Sequence, residues 1–125
     1  MTELEFKKRT KDIALRVIIV VNSLPQTRSA EVIGKQLLRA GTSIGANYRA
    51  ACRGKSPADV IHKLSIVEEE ADECLYWMEL LTDSGIVSEN KLSKLYGDVD
   101  QIVAMVVSSI KTMRSRRTVN PKSKI

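Results

Sequence analysis

The chain has 125 residues, enough for one domain that buries about two thirds of its unfolded surface. Apolar residues make up 43% and aromatics only 4%, with 3 prolines and no alternating Val/Thr/Tyr runs, which excludes strand-built folds and points to an all-helical protein. The net charge of +5 lies in the C-terminal stretch: Lys111, Arg114, Arg116, Arg117, Lys122 and Lys124, with no acid among them, leave the rest of the chain nearly neutral, and a second basic cluster, "KKRTK", sits at 7–11.

The first helix is expected near 3–23. At about 100° per residue, Phe6, Ile13, Val17, Val20 and Leu24 share its core stripe, while Leu4, Leu15, Ile18 and Ile19 face away. "VIIVV" at 17–21 is far too short to span a bilayer and is flanked by Arg16 and Asn22. No signal-peptide pattern is present, so a cytoplasmic protein with no membrane partner is expected. "SLPQTRS" at 23–29, with Pro25, breaks the chain, and Ser29 is the expected N-cap of a second helix near 30–53. Ile33, Leu37, Ala40, Ile44, Tyr48 and Ala51 form its core face, with Asn47 near the edge.

"GKSP" at 54–57 ends that helix. Ser56 as N-cap, Pro57 at the first turn and Asp59 three residues on open a third helix over 57–83. Its core stripe is Val60, Leu64, Val67, Ala71, Cys74, Leu75, Met78 and Leu81; Ile66, Trp77 and Leu80 face away, with Tyr76 nearby. Gly85 reads as the residue just past its end, and Ser88 as the N-cap of a fourth helix over 88–115. There Leu92, Leu95, Tyr96, Val99, Ile102, Val103, Val106, Ile110 and Met113 make one stripe. Short links favour antiparallel neighbours, so the expected fold is an up-down-up-down four-helix bundle over 1–117, with 118–125 a basic flexible tail. The surplus apolar surface of the first and third helices predicts homo-oligomerisation through Leu15, Ile18, Ile19, Ile66, Trp77 and Leu80.

The stretch "TSIGANYRAACRGKS" at 42–56 is rich in small residues. Gly34, Gly41, Gly45 and Cys52 lie along one flank of the second helix, where missing side chains let another helix approach closely; dispersion contacts then offset the propensity cost. The outer face carries Lys35, Arg39, Arg49 and Arg53 with only Thr42 and Ala46 between them, a basic stripe suited to a phosphate backbone. An alternative stands beside it: the acidic "EEEADE" at 68–73 offers carboxylates with which Arg49 and Arg53 could pair.

Other chemistry finds little support. "GKS" at 54–56 resembles the end of a phosphate-binding loop, but Arg49 stands where that motif needs glycine and no strand precedes it. His62 is the single histidine and has no ligand cluster around it. Cys52 and Cys74 would sit ~24 Å out of level on antiparallel helices, too far for a disulfide. The acidic run lacks the Glu-x-x-His motifs of a di-metal bundle, and Ser43 has no histidine to activate it. Neither an enzyme nor a cofactor is expected.

The segment "LLRAGTSIGANYRAACRGKSPADVIHKLSIVEEEADECLYWMELL" resembles a small four-helix-bundle family. Its members include the proteins encoded in intervening sequences of bacterial 23S ribosomal RNA genes and the accessory variability proteins of diversity-generating retroelements. The family pattern R-A-x-x-S-I/V-x-x-N is matched by Arg39, Ala40, Ser43, Ile44 and Asn47, and Glu68 to Glu70 fit its glutamate-bearing third helix. Where many relatives have Glu-Gly shortly after the Asn, this chain has Ala50-Ala51. The resemblance implies a homopentameric ring and, for the retroelement type, a basic protein that binds nucleic acid and engages a reverse transcriptase. The expected function is therefore non-specific binding of RNA or DNA by an oligomer, through Lys35, Arg39, Arg49 and Arg53 together with Lys111, Arg114, Arg116 and Arg117. The alternative is a protein–protein scaffold without nucleic acid.

Overall fold

The computed structural model describes residues 1–118, with side chains as far as Arg116. Four helices follow one another: α1 (Glu3–Asn22), α2 (Arg28–Cys52), α3 (Pro57–Asp83) and α4 (Glu89–Thr118). α4 runs past the expected end, so Thr118 belongs to the helix and not to the tail. Lys122 and Lys124 of the expected tail lie outside the described residues, as does the side chain of Arg117.

Capping side chains set the helix starts. Thr2 accepts from the Glu5 amide at 3.1 Å, and Ser56 accepts from the Asp59 amide at 3.1 Å with Pro57 in the first turn. Asp59 in turn accepts from the Lys55 amide at 3.0 Å, which closes the α2–α3 corner. The start of α2 corrects the expectation of Ser29. Thr27 is already extended, its hydroxyl accepts from the Ala30 amide at 3.3 Å, and Ser29 falls inside the helix. Gly85, at φ +79°, takes the left-handed turn after α3.

Each helix runs antiparallel to the next. Leu37 and Ile44 of α2, Val67, Met78 and Leu81 of α3, Val99 and Ile102 of α4 and Val17 of α1 meet in one core with almost no exposure. The expected stripes supply nearly all of it; Ile61 joins as well, and Val60 is half-buried beside it. Phe6 and Tyr48 pack ring against ring, centroids 4.2 Å apart, near the α1 start. Cys52 and Cys74 are free thiols, and burial first, then Glu70 and Glu73, push the Cys74 thiol up to about 12.

The small flank of α2 meets α1. A Cβ placed on Gly41 would stand 2.8 Å from Cγ2 of Val17, and one on Gly45 would stand 3.1 Å from Oγ1 of Thr10. The glycines therefore set the distance between the two helices, as the small flank predicted. Thr10 tolerates this burial because its hydroxyl donates to the Lys7 carbonyl at 3.1 Å. α1 and α4 pack much less closely than the other neighbouring pairs. Polar side chains span their seam: Arg16 pairs with Asp98 at 2.7 Å, and Arg9 donates to Gln101 at 2.6 Å.

Two alanine substitutions should move stability in opposite directions. Val17 is fully buried and β-branched, so it cannot turn away from a new methyl group. Gly41→Ala should cost ~1–3 kcal/mol through overpacking. Gly97→Ala adds a methyl with nothing within 4 Å on an exposed helix face, and should add up to about 1 kcal/mol. Urea denaturation of both variants reads the signs; a stable Gly41→Ala protein would mean the helices have room to spare.

Candidate nucleic-acid interface

The basic stripe expected on α2 divides in two. Arg39 and Arg49 both point outward, but ten residues at about 100° each leave them about 80° apart. Arg39 leans toward α3. Its guanidinium pairs with Glu70 at 2.9 Å and with Glu73, and Glu73 also accepts from the Trp77 indole at 3.2 Å. The Glu73 hydrogen bond, with the charges of Glu70 and Glu73, raises the Arg39 pKa against partial desolvation. Burial pushes the Glu73 carboxyl up, but the hydrogen bonds from Trp77 and Arg39 outweigh it and hold the group below its ordinary value.

Arg39 thus stands in a different setting from Arg49 and Arg53. It is half exposed, and its charge is engaged by Glu70 and Glu73 of α3. The pairing weighed for Arg49 and Arg53 is made by Arg39 instead, because only that side of α2 faces the acids. The surrounding pattern reads the same way. Ala40 and Ile44 are buried, Ser43 donates to the Arg39 carbonyl at 2.6 Å, and Asn47 donates to the Ser43 carbonyl at 2.8 Å. Of these, Arg39 reaches across to α3, while the Ser43 and Asn47 side chains bond back to their own helix.

Arg49 leans the other way, toward α1. There it shares a groove of about 410 Å³ with Lys7, Lys8 and Lys11. The floor is made of small side chains, Ala14 from α1 with Thr42, Gly45 and Ala46 from α2. Lys7 pairs with Glu3 at 3.5 Å. Lys8, Lys11, Arg49 and, one turn on, Arg53 have no side-chain partner among the described residues. "KKRTK" had stood out in the sequence as a basic cluster, but nothing in it signalled Arg49 as its neighbour. The signal was the glycine flank, which decides which helix lies beside which.

The remaining cations gather at the same end of the bundle. Antiparallel packing brings the start of α1, the end of α2, the start of α3 and the end of α4 together. Arg116 of α4 lines a cleft there with Glu3, Tyr48 and Cys52. Lys111 and Arg114 are exposed on the last turns of α4. Lys35 is exposed but lies about 21 Å along α2 from Arg49, at 1.5 Å per residue, and joins neither group.

The expected apolar surface also divides. Leu15, Ile18 and Ile19 on α1 are 52%, 37% and 68% exposed, and Val32 of α2 is exposed as well. On α3, Ile66 and Leu80 are half-buried, and Trp77 packs against the core of its own chain. Trp77 therefore corrects the expectation of an outward-facing residue: its ring covers the core while its N–H reaches Glu73. Among the described residues no group of His, Cys, Asp or Glu could hold a metal ion, and no helix is long and apolar enough to cross a membrane.

A family model described as "23S rRNA-intervening sequence protein" matches residues 2–108. A solved structure from Bacteroides thetaiotaomicron VPI-5482, titled a protein of unknown function from the S23 ribosomal protein family, is similar to the chain at 35% identity. The match covers 89% of this chain and 99% of that one, with a TM-score of 0.82. No curated protein matches the chain.

The Arg39 assignment has a pH signature. Glu73 has a lowered folded value, so its contribution is present above the ordinary glutamate range and is lost as pH falls through that lowered value. Arg39→Ala should therefore be less stable than wild type at neutral pH, with the gap closing in acid. Any affinity for nucleic acid should stay within about twofold of wild type. Urea denaturation across pH, with binding at neutral pH, checks both; a large loss of binding would return Arg39 to the interface.

Proposed function

Because the chain belongs to the 23S rRNA-intervening sequence protein family, we propose that it is a non-enzymatic, cytoplasmic oligomer that binds RNA or DNA without sequence specificity. The observation that carries the reading is the group of unpartnered cations at one end of the bundle, Lys8, Lys11, Arg49 and Arg53. Unpaired surface cations can exchange condensed counterions of a nucleic acid for direct phosphate contacts, which drives sequence-independent binding. Lys111, Arg114, Arg116 and Arg117 extend this basic end along α4. Arg39 takes no part, and Lys35 stands apart.

Oligomerisation is the second half of the proposal. Leu15, Ile18 and Ile19 present apolar surface on the outer half of α1, away from the basic half. A ring is the assembly implied by the resemblance, with five subunits, and a reverse transcriptase is the protein partner it implies. Several basic ends in one particle would multiply a weak contact through effective concentration. The scaffold alternative needed Arg49 and Arg53 to find carboxylates, and among the described residues they find none.

Two experiments test the halves separately. Arg49→Glu with Arg53→Glu should weaken binding to labelled structured RNA and duplex DNA at least tenfold, without altering the thermal midpoint by more than a few degrees. Wild-type binding should fall steeply with salt; affinity that ignores both the substitutions and the salt would remove this end of the bundle from the function. Ile18→Asp with Ile19→Asp should reduce the mass in light scattering to that of a single chain. A double variant that keeps its wild-type mass would place the interface elsewhere.

A further inference from the structure

The groove between α1 and α2 differs from a general basic surface in three respects. First, cations stand on both walls, Lys8 and Lys11 on α1 and Arg49 on α2, with no carboxylate partner among the described residues, while Lys7 beside them pairs with Glu3. Second, its floor is shallow and smooth, since Gly45 and Ala46 carry almost no side chain there. Third, it contains no aromatic ring.

The third feature decides what can lie in it. Proteins that hold single strands stack successive bases on aromatic side chains. Here the rings are used elsewhere. Phe6 and Tyr48 face each other, Tyr76 and Trp77 pack edge to face on α3, and the Tyr96 hydroxyl donates to Glu79. Reading a run of base edges needs several bidentate side chains reaching into a groove of the nucleic acid. The α1–α2 groove has one arginine, no Asn and no Gln. What remains is a cation-walled trough for a convex, evenly charged ridge whose bases point away from the protein. A strand of a double helix has that shape, because pairing turns its bases inward and leaves the sugar–phosphate backbone outermost.

We infer that the α1–α2 groove seats one backbone strand of a double helix between Lys8 and Lys11 on one wall and Arg49 on the other, with no base contact. The inference rests on the nucleic-acid reading above and narrows it to helical substrates, whether duplex DNA or RNA stems. Unstructured single strands are poor ligands, since their exposed bases gain no stacking surface in the groove.

The test compares a blunt duplex with oligo-dT carrying the same number of phosphates, by fluorescence anisotropy over a salt series. The wild-type protein should bind the duplex at least tenfold more tightly. A triple variant, Lys8→Ala, Lys11→Ala and Arg49→Ala, should lose at least tenfold on the duplex. Its log–log salt slope on the duplex should be shallower by about 3, with a smaller loss of affinity for oligo-dT than for the duplex. If oligo-dT binds as well as the duplex, the helical preference is overturned while nucleic-acid binding stands. A triple variant with the wild-type salt slope overturns the groove. If neither ligand binds at low salt, the broader reading fails and this one with it. A change of oligomer mass in the triple variant would mean that a second copy of the chain occupies the groove, which also overturns the proposal. Circular dichroism melts confirm folding, and Lys11→Glu alone, expected to weaken duplex binding, serves should the triple variant misfold.

Discussion

The contact on which most of this structure depends is the close approach of α1 and α2. Gly41 lies against Val17 at a separation that leaves no space for a β-carbon, and Gly45 lies tightly against Thr10. A fully buried valine cannot move aside cheaply, because its χ1 is restricted and neighbouring core atoms surround it. The glycines cost helix propensity, of order 1 kcal/mol each. In return two backbones meet along a smooth seam, and the outer edge of that seam is the floor of the basic groove. Packing and candidate function are two sides of one flank of small residues.

The same helix shows how rotation about an axis sorts charges. Arg39 and Arg49 are alike in type and both lie on the outer side of α2. About 80° of rotation separates an arginine held by Glu70 and Glu73 from one with no partner. Half-exposed pairs of the first kind contribute little stability and fix the orientation of α2 against α3. Cations of the second kind are free to exchange counterions for phosphate. Of the residues that carry the resemblance to the family, Arg39 is the paired cation, and Ala40 and Ile44 are buried in the core.

Chain direction supplies the remaining order. In an antiparallel bundle the helix termini alternate between the two ends, so "KKRTK" near the start of α1, Arg49 and Arg53 near the end of α2, and the basic last turns of α4 gather at one end. The acids of α3 lie further along the bundle and are partly used by Arg39. α1 is itself divided, with lysines on its outer first half and Leu15, Ile18 and Ile19 on its second. A single helix can thus serve two surfaces without mixing their chemistry.

The sequence alone determined the four helices, the cap at Ser56, the left-handed turn at Gly85, nearly every core residue and the existence of a small-residue flank. These follow from local rules: a 3.6-residue period, caps and turn chemistry act within a few positions along the chain. Thr27 in place of Ser29 is an error of the same local kind, by two residues. Only the tertiary structure decided which side of α2 faces α3 and which faces α1, and so which arginine is paired and which is free. It alone placed the Trp77 ring over the core and joined Lys8 and Lys11 to Arg49. The reason is physical: periodicity gives each side chain an angle about its own helix axis. A charge is neutralised or left open by what stands opposite it, and that depends on how closely and in which order the helices pack.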